Sequence, residues 1–186
     1  MKIGYGVEGS TDRAFITGLQ KKLYPYAKLI EGRSRGSTGE SLRREIESIC
    51  YELTYKGADV IVFLTDANES RWHEVKRREI NRVPEDRKHR TIYGVAERNI
   101  ECWITADEEY TRRIGINPDA IRKVDPKPEF ERVIGITGID KKENEIAQIV
   151  EAAPLEQWRL SSKSFEDFYD QIQGVSKLFG CRTRGV

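Results

Sequence analysis

Five large apolar residues in succession, Val60-Ile61-Val62-Phe63-Leu64, constrain the fold of this chain more than any other stretch. A strand with one solvated face alternates apolar and polar side chains, so an unbroken run predicts a strand buried on both faces. Such a strand needs helices on both sides, which is the layering of an open parallel sheet. The strand is expected over 58–64, opening with Ala58-Asp59, and Thr65-Asp66-Ala67-Asn68 closes it.

The flanking pattern agrees. Residues 2–7 read as a first strand ending in Glu8-Gly9, after which Ser10 or Thr11 is placed to cap a helix carrying Phe15, Ile16, Leu19 and Leu23 at helical spacing, stopped by Pro25. Residues 27–30 form a short second strand, then a glycine- and serine-rich loop over 32–39. A second helix from about Ser41 aligns Leu42, Ile46, Ile49 and Leu53 and ends at Gly57. After the apolar run come a polar, basic helix over about 69–81, a fourth strand over 91–96, and a helix opening near Asn99 with Ile100, Trp103 and Ile104. Strand and helix alternate, which implies βαβ units.

Beyond about Asp107 the pattern loosens around Pro118, Pro126, Pro128 and Pro154, with helices expected over 141–153 and 165–179, the latter presenting Phe165, Phe168, Tyr169 and Ile172. The expected fold is α/β: a doubly wound, mainly parallel sheet flanked by helices, in a single domain over 1–186. Its core spans about 1–109, and a mostly helical C-terminal extension, about 110–186, packs on it.

Composition narrows the function. Hydrophobic residues make up 38% of the chain and charged residues 34%, and no apolar run approaches the roughly 20 residues that span a bilayer. The start, MKIGYGVEG, lacks the apolar core of a signal peptide. Cys50, Cys102 and Cys181 are widely spaced without a CxxC pair, against both a disulfide framework and a zinc site. A cytoplasmic protein with reduced thiols is expected. The net charge of +1 excludes a global field for nucleic acid, so such a partner needs a local basic patch. The stretch from Arg71 to Arg90 is one, and Arg71, Lys76, Arg77 and Arg78 are its candidate phosphate contacts, with a solvated charged helix as the alternative. Arg33 and Arg35, beside Gly36-Ser37-Thr38-Gly39, are placed to cradle phosphate or to lie in a plain flexible loop. His73 and His89 read as surface residues and Trp103 and Trp158 as core; Trp72 stacks on a base or packs, and Asp12 belongs to the helix cap.

The positions of the acids say more. Ligands of open parallel sheets bind beyond the C-terminal strand ends, and Glu8, Asp66 and Glu97 each follow a predicted strand, with Glu101 and Asp107 on the next helix. Carboxylates converging on one rim repel unless a cation lies between them, and an all-oxygen set suits Mg²⁺ or Mn²⁺. The alternative is that each acid caps a helix.

Val7-Glu8-Gly9-Ser10-Thr11-Asp12, between a strand and a helix, resembles the first motif of TOPRIM domains, and Phe63-Leu64-Thr65-Asp66-Ala67-Asn68 stands where that family has a strand ending in Asp-x-Asp. The stretch Ala96 to Asp107, with Ile100-Glu101-Cys102-Trp103-Ile104, is similar to a signature of small prokaryotic TOPRIM-like proteins related to OLD-type nucleases, as are Asp125-Pro126-Lys127 and Ser164-Phe165-Glu166-Asp167-Phe168. Asn68 departs from the family's second Asp. The resemblance implies Mg²⁺-dependent phosphoryl transfer, with hydrolysis of nucleic-acid phosphodiesters as the leading activity and a prokaryotic defence system as the setting. It assigns catalysis to Glu8, Asp66 and Glu101. Metal would fall to Glu8 and Asp66, with Asn68 or Glu69 completing the set, and Glu101, then Glu97 or Asp107, would hold a second metal. The alternative is a catalytically weakened nucleic-acid- or nucleotide-binding module acting with a partner such as an ATPase.

Overall fold

The computed structural model describes residues 1–32, 39–68, 70–121, 125–134 and 139–178. Strands β1 (Lys2–Val7), β2 (Lys28–Glu31), β3 (Val60–Asp66) and β4 (Thr91–Ala96) form an all-parallel sheet in the order β2-β1-β3-β4. The helices are α1 (Ser10–Leu23), α2 (Gly39–Tyr55), α3 (Trp72–Ile80), α4 (Ile100–Ile104), α5 (Glu108–Arg113), α6 (Pro118–Ile121), α7 (Pro126–Ile134), α8 (Ile139–Ala152), α9 (Leu155–Ser161) and α10 (Lys163–Leu178), with a 3₁₀ segment over Glu85–Arg90. The fold is therefore α/β with helices on both sheet faces. Among the described residues, no helix is long and apolar enough to cross a membrane.

The apolar run in β3 divides its side chains between two cores. Val60, Val62 and Leu64 join Ile3, Tyr5 and Ile92 against α1 and the late helices, through Phe15, Ile16, Val150, Trp158, Phe165 and Phe168. Ile61 and Phe63 join Tyr93 and Val95 against Leu42, Ile46, Ile49 and Leu53 of α2 and Val75 of α3. Period-two geometry sends alternate side chains to opposite faces, so a strand lined by helices on both faces has no polar positions. Cys50 is buried and Cys102 partly so, while Cys181 lies outside the described residues.

Several boundaries moved for local reasons. Gly9, not Ser10 or Thr11, is the N-cap of α1, and its N–H donates to Asp12 Oδ2 at 3.0 Å. Gly57 ends α2 with φ +80; its N–H reaches Thr54 O at 2.9 Å and the Ala58 N–H reaches Leu53 O at 2.9 Å. This is the glycine-terminated double bond that satisfies last-turn carbonyls, and it delays β3 to Val60. α3 starts at Trp72 instead of about 69, because Asn68 adopts φ 54 and the Ser70 N–H turns back to Ala67 O at 3.0 Å. After Asp107 the chain forms helices of four to nine residues, α5 to α7 and α9, too short to show a period. Pro118 and Pro126, read from sequence as punctuation, begin α6 and α7, where a missing N–H does no harm.

The extension is part of the core. Gly18 lets α1 and α8 approach so closely that a Cβ there would lie 2.5 Å from Ala147 O and 2.6 Å from Val150 Cβ. Gln171 of α10 seals the open edge of β4: its Oε1 accepts from the Tyr93 N–H at 3.2 Å and its Nε2 donates to Tyr93 O at 3.3 Å. An unpaired edge otherwise invites pairing with other chains. Trp103 of α4 donates through its indole N–H to Ser164 Oγ at 2.7 Å and stacks on Phe168 at 5.1 Å between centroids.

Gly18 yields a test of this close crossing. In an exposed helix Gly→Ala stabilises by about 1 kcal/mol. Here Gly18→Ala is expected to reverse that sign and cost about 1–3 kcal/mol by overpacking, read as a lower midpoint in urea unfolding.

Candidate functional site

The C-terminal rim of the sheet gathers the first-half acids. Continuing the parallel pairing of Val7 with Leu64 brings Glu8 beside the end of β3, where its Oε1 lies 3.4 Å from the Asp66 backbone nitrogen. Asp12 follows one turn into α1, four positions from Glu8, and is 5% exposed. Glu101 comes from the first turn of α4 and is 2% exposed. These four carboxylates line a pocket of about 340 Å³ with Lys127 and Glu131 of α7 and Lys142 of α8.

Like charges at close quarters in a desolvated pocket hold protons. Burial pushes Asp66 up to about 8, with the charges of Asp12, Glu8 and Glu101 adding to the effect, and Lys127 opposing it. Burial, then Glu8 and Glu101, push Asp12 up to about 7. Glu8 is raised by burial against the opposing Arg43 guanidinium, and Glu101 is raised by burial against its own backbone, Lys127 and Lys142. The protons belong to the cluster more than to any one carboxyl. Arg43 of α2 is the resident counter-charge: its Nη2 stands 3.5 Å from Glu8 Oε1 and donates to Asp66 O at 2.8 Å. Asp66 Oδ1 and Glu101 Oε1 are buried without a hydrogen bond among the described residues.

The donor chemistry suits a hard divalent cation, since every candidate ligand is oxygen and two of the oxygens are unpartnered. Among the described residues, no three His, Cys, Asp or Glu side chains are grouped closely enough to hold a metal ion as they stand. A cation held by Glu8, Asp66 and Glu101 together therefore requires their side chains to move closer to one another.

Other candidates lie elsewhere. Asn68 and Glu97 line a neighbouring cleft of about 620 Å³ with Arg98, Cys102 and Thr105. Glu97 precedes the Asn99 cap of α4, so it does not share a helical face with Glu101. Asp107 caps α5, accepting from the Tyr110 N–H at 2.7 Å, which is the helix-cap role. Glu69, Arg33 and Arg35 lie outside the described residues. In α3, Lys76 is tied to Asp167 of α10, Arg78 donates to the buried Glu79 at 2.6 Å, and Arg77 is exposed; Arg71, at the N-cap of that helix, sits 3.6 Å from Glu74. None of these four lines the acidic pocket. Trp72 packs on the α2–α3 core, and His73 and His89 are exposed.

Sequence reasoning undervalued Asp12 and passed over Arg43 and Lys142. The spacing of Glu8 and Asp12, one helical turn apart across the cap, was the available signal for the first. Arg43 and Lys142 carry none, because they arrive from α2 and α8 by tertiary packing. The Asp125-Pro126-Lys127 motif acquires a physical meaning: Asp125 Oδ1 accepts from Asn99 Nδ2 at 2.6 Å and from the Lys127 N–H at 3.0 Å, tying the start of α7 to the start of α4.

The raised carboxyls determine how stability depends on pH. Their folded-state values lie above those of the unfolded chain, so from about pH 4 to pH 8 the folded protein holds protons that the unfolded chain has released. In EDTA, the cluster's contribution to stability is expected to be full near pH 4 and to fall as pH rises to 8. Asp66→Asn is expected to stabilise the protein at pH 8 by on the order of 1–3 kcal/mol and to change little at pH 4. Urea unfolding at the two pH values checks both, and equal effects at both pH values would refute the raised proton affinity of Asp66.

No protein-family model, curated protein or solved structure matches this chain.

Proposed function

We propose that this protein hydrolyses nucleic-acid phosphodiesters in the acidic pocket, with Mg²⁺ or Mn²⁺ bound by Asp66 and Glu101 and shared with Glu8. The observation that carries this reading is the convergence of four carboxyls at one sheet rim, Asp12 and Glu101 buried and Glu8 and Asp66 partly buried, with an unpartnered buried oxygen on Asp66 and on Glu101. A structural role does not require such a cluster, whereas a cation relieves its repulsion. When bound, the metal stabilises negative charge on the scissile phosphate. The resemblance to TOPRIM domains supports the same reading through Glu8-Gly9 and Asp66.

Glu8 is the general base. Its raised proton affinity and its partly exposed place in the pocket lining suit it to take a proton from water as the water oxygen attacks phosphorus and the bond to the departing sugar oxygen breaks. Asp12 orients the β1–α1 turn through the Gly9 N–H. Lys127, exposed on α7 at the pocket wall, offers a positive charge to the phosphate. A prokaryotic defence system remains the setting that the resemblance suggests.

The second reading is a weakened binding module working with a partner ATPase. Asn68 favours it, since it brings an uncharged amide that lines the neighbouring cleft instead of the acidic pocket.

Plasmid, single-stranded DNA and RNA incubated with the protein in Mg²⁺, Mn²⁺ or EDTA separate the two. The nuclease reading expects metal-dependent cleavage that drops by at least about 100-fold in Glu8→Gln and is lost in Asp66→Asn. Tight binding without cleavage in any metal would establish the module instead. Metal binding has its own readout: Mn²⁺ is expected to raise the thermal midpoint of the wild type and not of Asp66→Asn. Because Asn68 lies outside the pocket, Asn68→Asp is expected to leave that rise unchanged; a larger rise would place position 68 among the ligands.

A further inference from the structure

The exposed face of α2 is divided by chemistry. Its buried stripe is Leu42, Ile46, Ile49, Cys50 and Leu53, and its exposed stripe runs Arg44, Glu47, Ser48, Tyr51, Tyr55. Near the N-terminal end of the stripe, a cleft of about 460 Å³ opens between α2 and the loop after α3, and Arg43, Arg44, Arg82 and Lys88 line it against Glu47 and Glu85. Arg43 joins this cleft to the acidic pocket: its head group is at Glu8, while its carbonyl accepts from Arg82 Nη1 at 3.3 Å. Further along the stripe, Tyr51 is 47% exposed and Tyr55 93% exposed, and the Arg87 guanidinium lies 6.0 Å from the Tyr51 ring centroid.

We infer that this face of α2 is a single-stranded nucleic-acid track, with phosphates held by the cleft cations and bases stacked on Tyr51 and Tyr55. The inference rests on the phosphodiester reading of the acidic pocket and adds the path by which substrate reaches it. A cation-lined cleft continued along one helix face by exposed aromatic rings is the chemistry that holds single strands regardless of sequence, because every nucleobase has a π-face. The cleft cations have acidic partners within the chain, Glu40 for Arg44, Glu79 for Arg82 and Glu85 for Lys88. Exposed pairs such as Arg44–Glu40 are weak, so a phosphate exchanges for the carboxylate at little loss. The path also accounts for Arg43, which places a cation where the groove meets the carboxylates.

The test is fluorescence anisotropy of a fluorescein-labelled single-stranded oligonucleotide in EDTA, where cleavage plays no part. The double variant Arg44→Ala/Lys88→Ala is compared with Lys21→Ala/Lys28→Ala, which removes the same charge at the opposite end of the sheet. The groove variant is expected to bind more weakly than this control, and its plot of log affinity against log salt to flatten by about 1.4, about 0.7 per lost phosphate contact on a single strand. Tyr51→Ala/Tyr55→Ala is expected to lose on the order of 10-fold per stacked base with the salt slope unchanged. Affinity and slope in the groove variant equal to those of the control, wild-type affinity in the tyrosine variant, or no binding by the wild type would each overturn the track. Metal-dependent cleavage by the wild type is read separately, so the pocket assignment stands or falls independently of the track.

Discussion

Gathering four carboxylates, two buried and two partly buried, at one rim is the constraint around which this molecule is arranged. Ionised acids resist removal from water, and these raise one another's proton affinity further. Several features contain the repulsion. Arg43 brings a guanidinium to Glu8 and the end of β3, Lys127 and Lys142 oppose the charge of Glu101, and the Gly9 N–H donates to Asp12. What the protein itself leaves unbalanced, the oxygens of Asp66 and Glu101, is the part of the pocket a ligand would complete.

Holding Glu101 in this place falls to an aromatic cluster. α4 has five residues, too few to be stable alone. Trp103 anchors it, packed among Phe15 of α1 and Phe165 and Phe168 of α10, with its N–H on Ser164. Asn99 and Asp125 hold its start. The motifs scattered over the second half of the chain thus converge on the helix that carries Glu101: the Ser164 to Phe168 stretch braces it, and the Asp125 to Lys127 stretch ties to its start and brings Lys127 to the pocket. The C-terminal extension is accordingly a structural part of the site.

Much of this was legible in the chain. The run from Val60 to Leu64 implied helices on both faces, and strand-end acids identified the rim. Gly57 marked the end of α2. Less could be read where an element is short or a residue's role is set by a distant neighbour. α5, α6, α7 and α9 are too short for periodicity, and Pro118 and Pro126, which open two of them, looked like breaks. The basic character of the Arg71 to Arg90 stretch suggested a phosphate-binding helix. In α3, however, Lys76 and Arg78 are engaged by Asp167 and Glu79, while Arg82 and Lys88, beyond the helix, face the cleft on α2.

Local sequence determined which residues would stand at strand ends, because side-chain alternation and turn chemistry act over a few positions. It thereby put Glu8 and Asp66 at the same rim. Which carboxylates share a pocket, and which cations meet them, was decided only by tertiary structure. α4 starts only at Ile100, which leaves Glu97 outside it, and ends at Ile104, so Asp107 caps the next helix. Arg43, Lys127 and Lys142 come from three different helices, and their convergence depends on how those helices pack, which no short stretch of chain encodes.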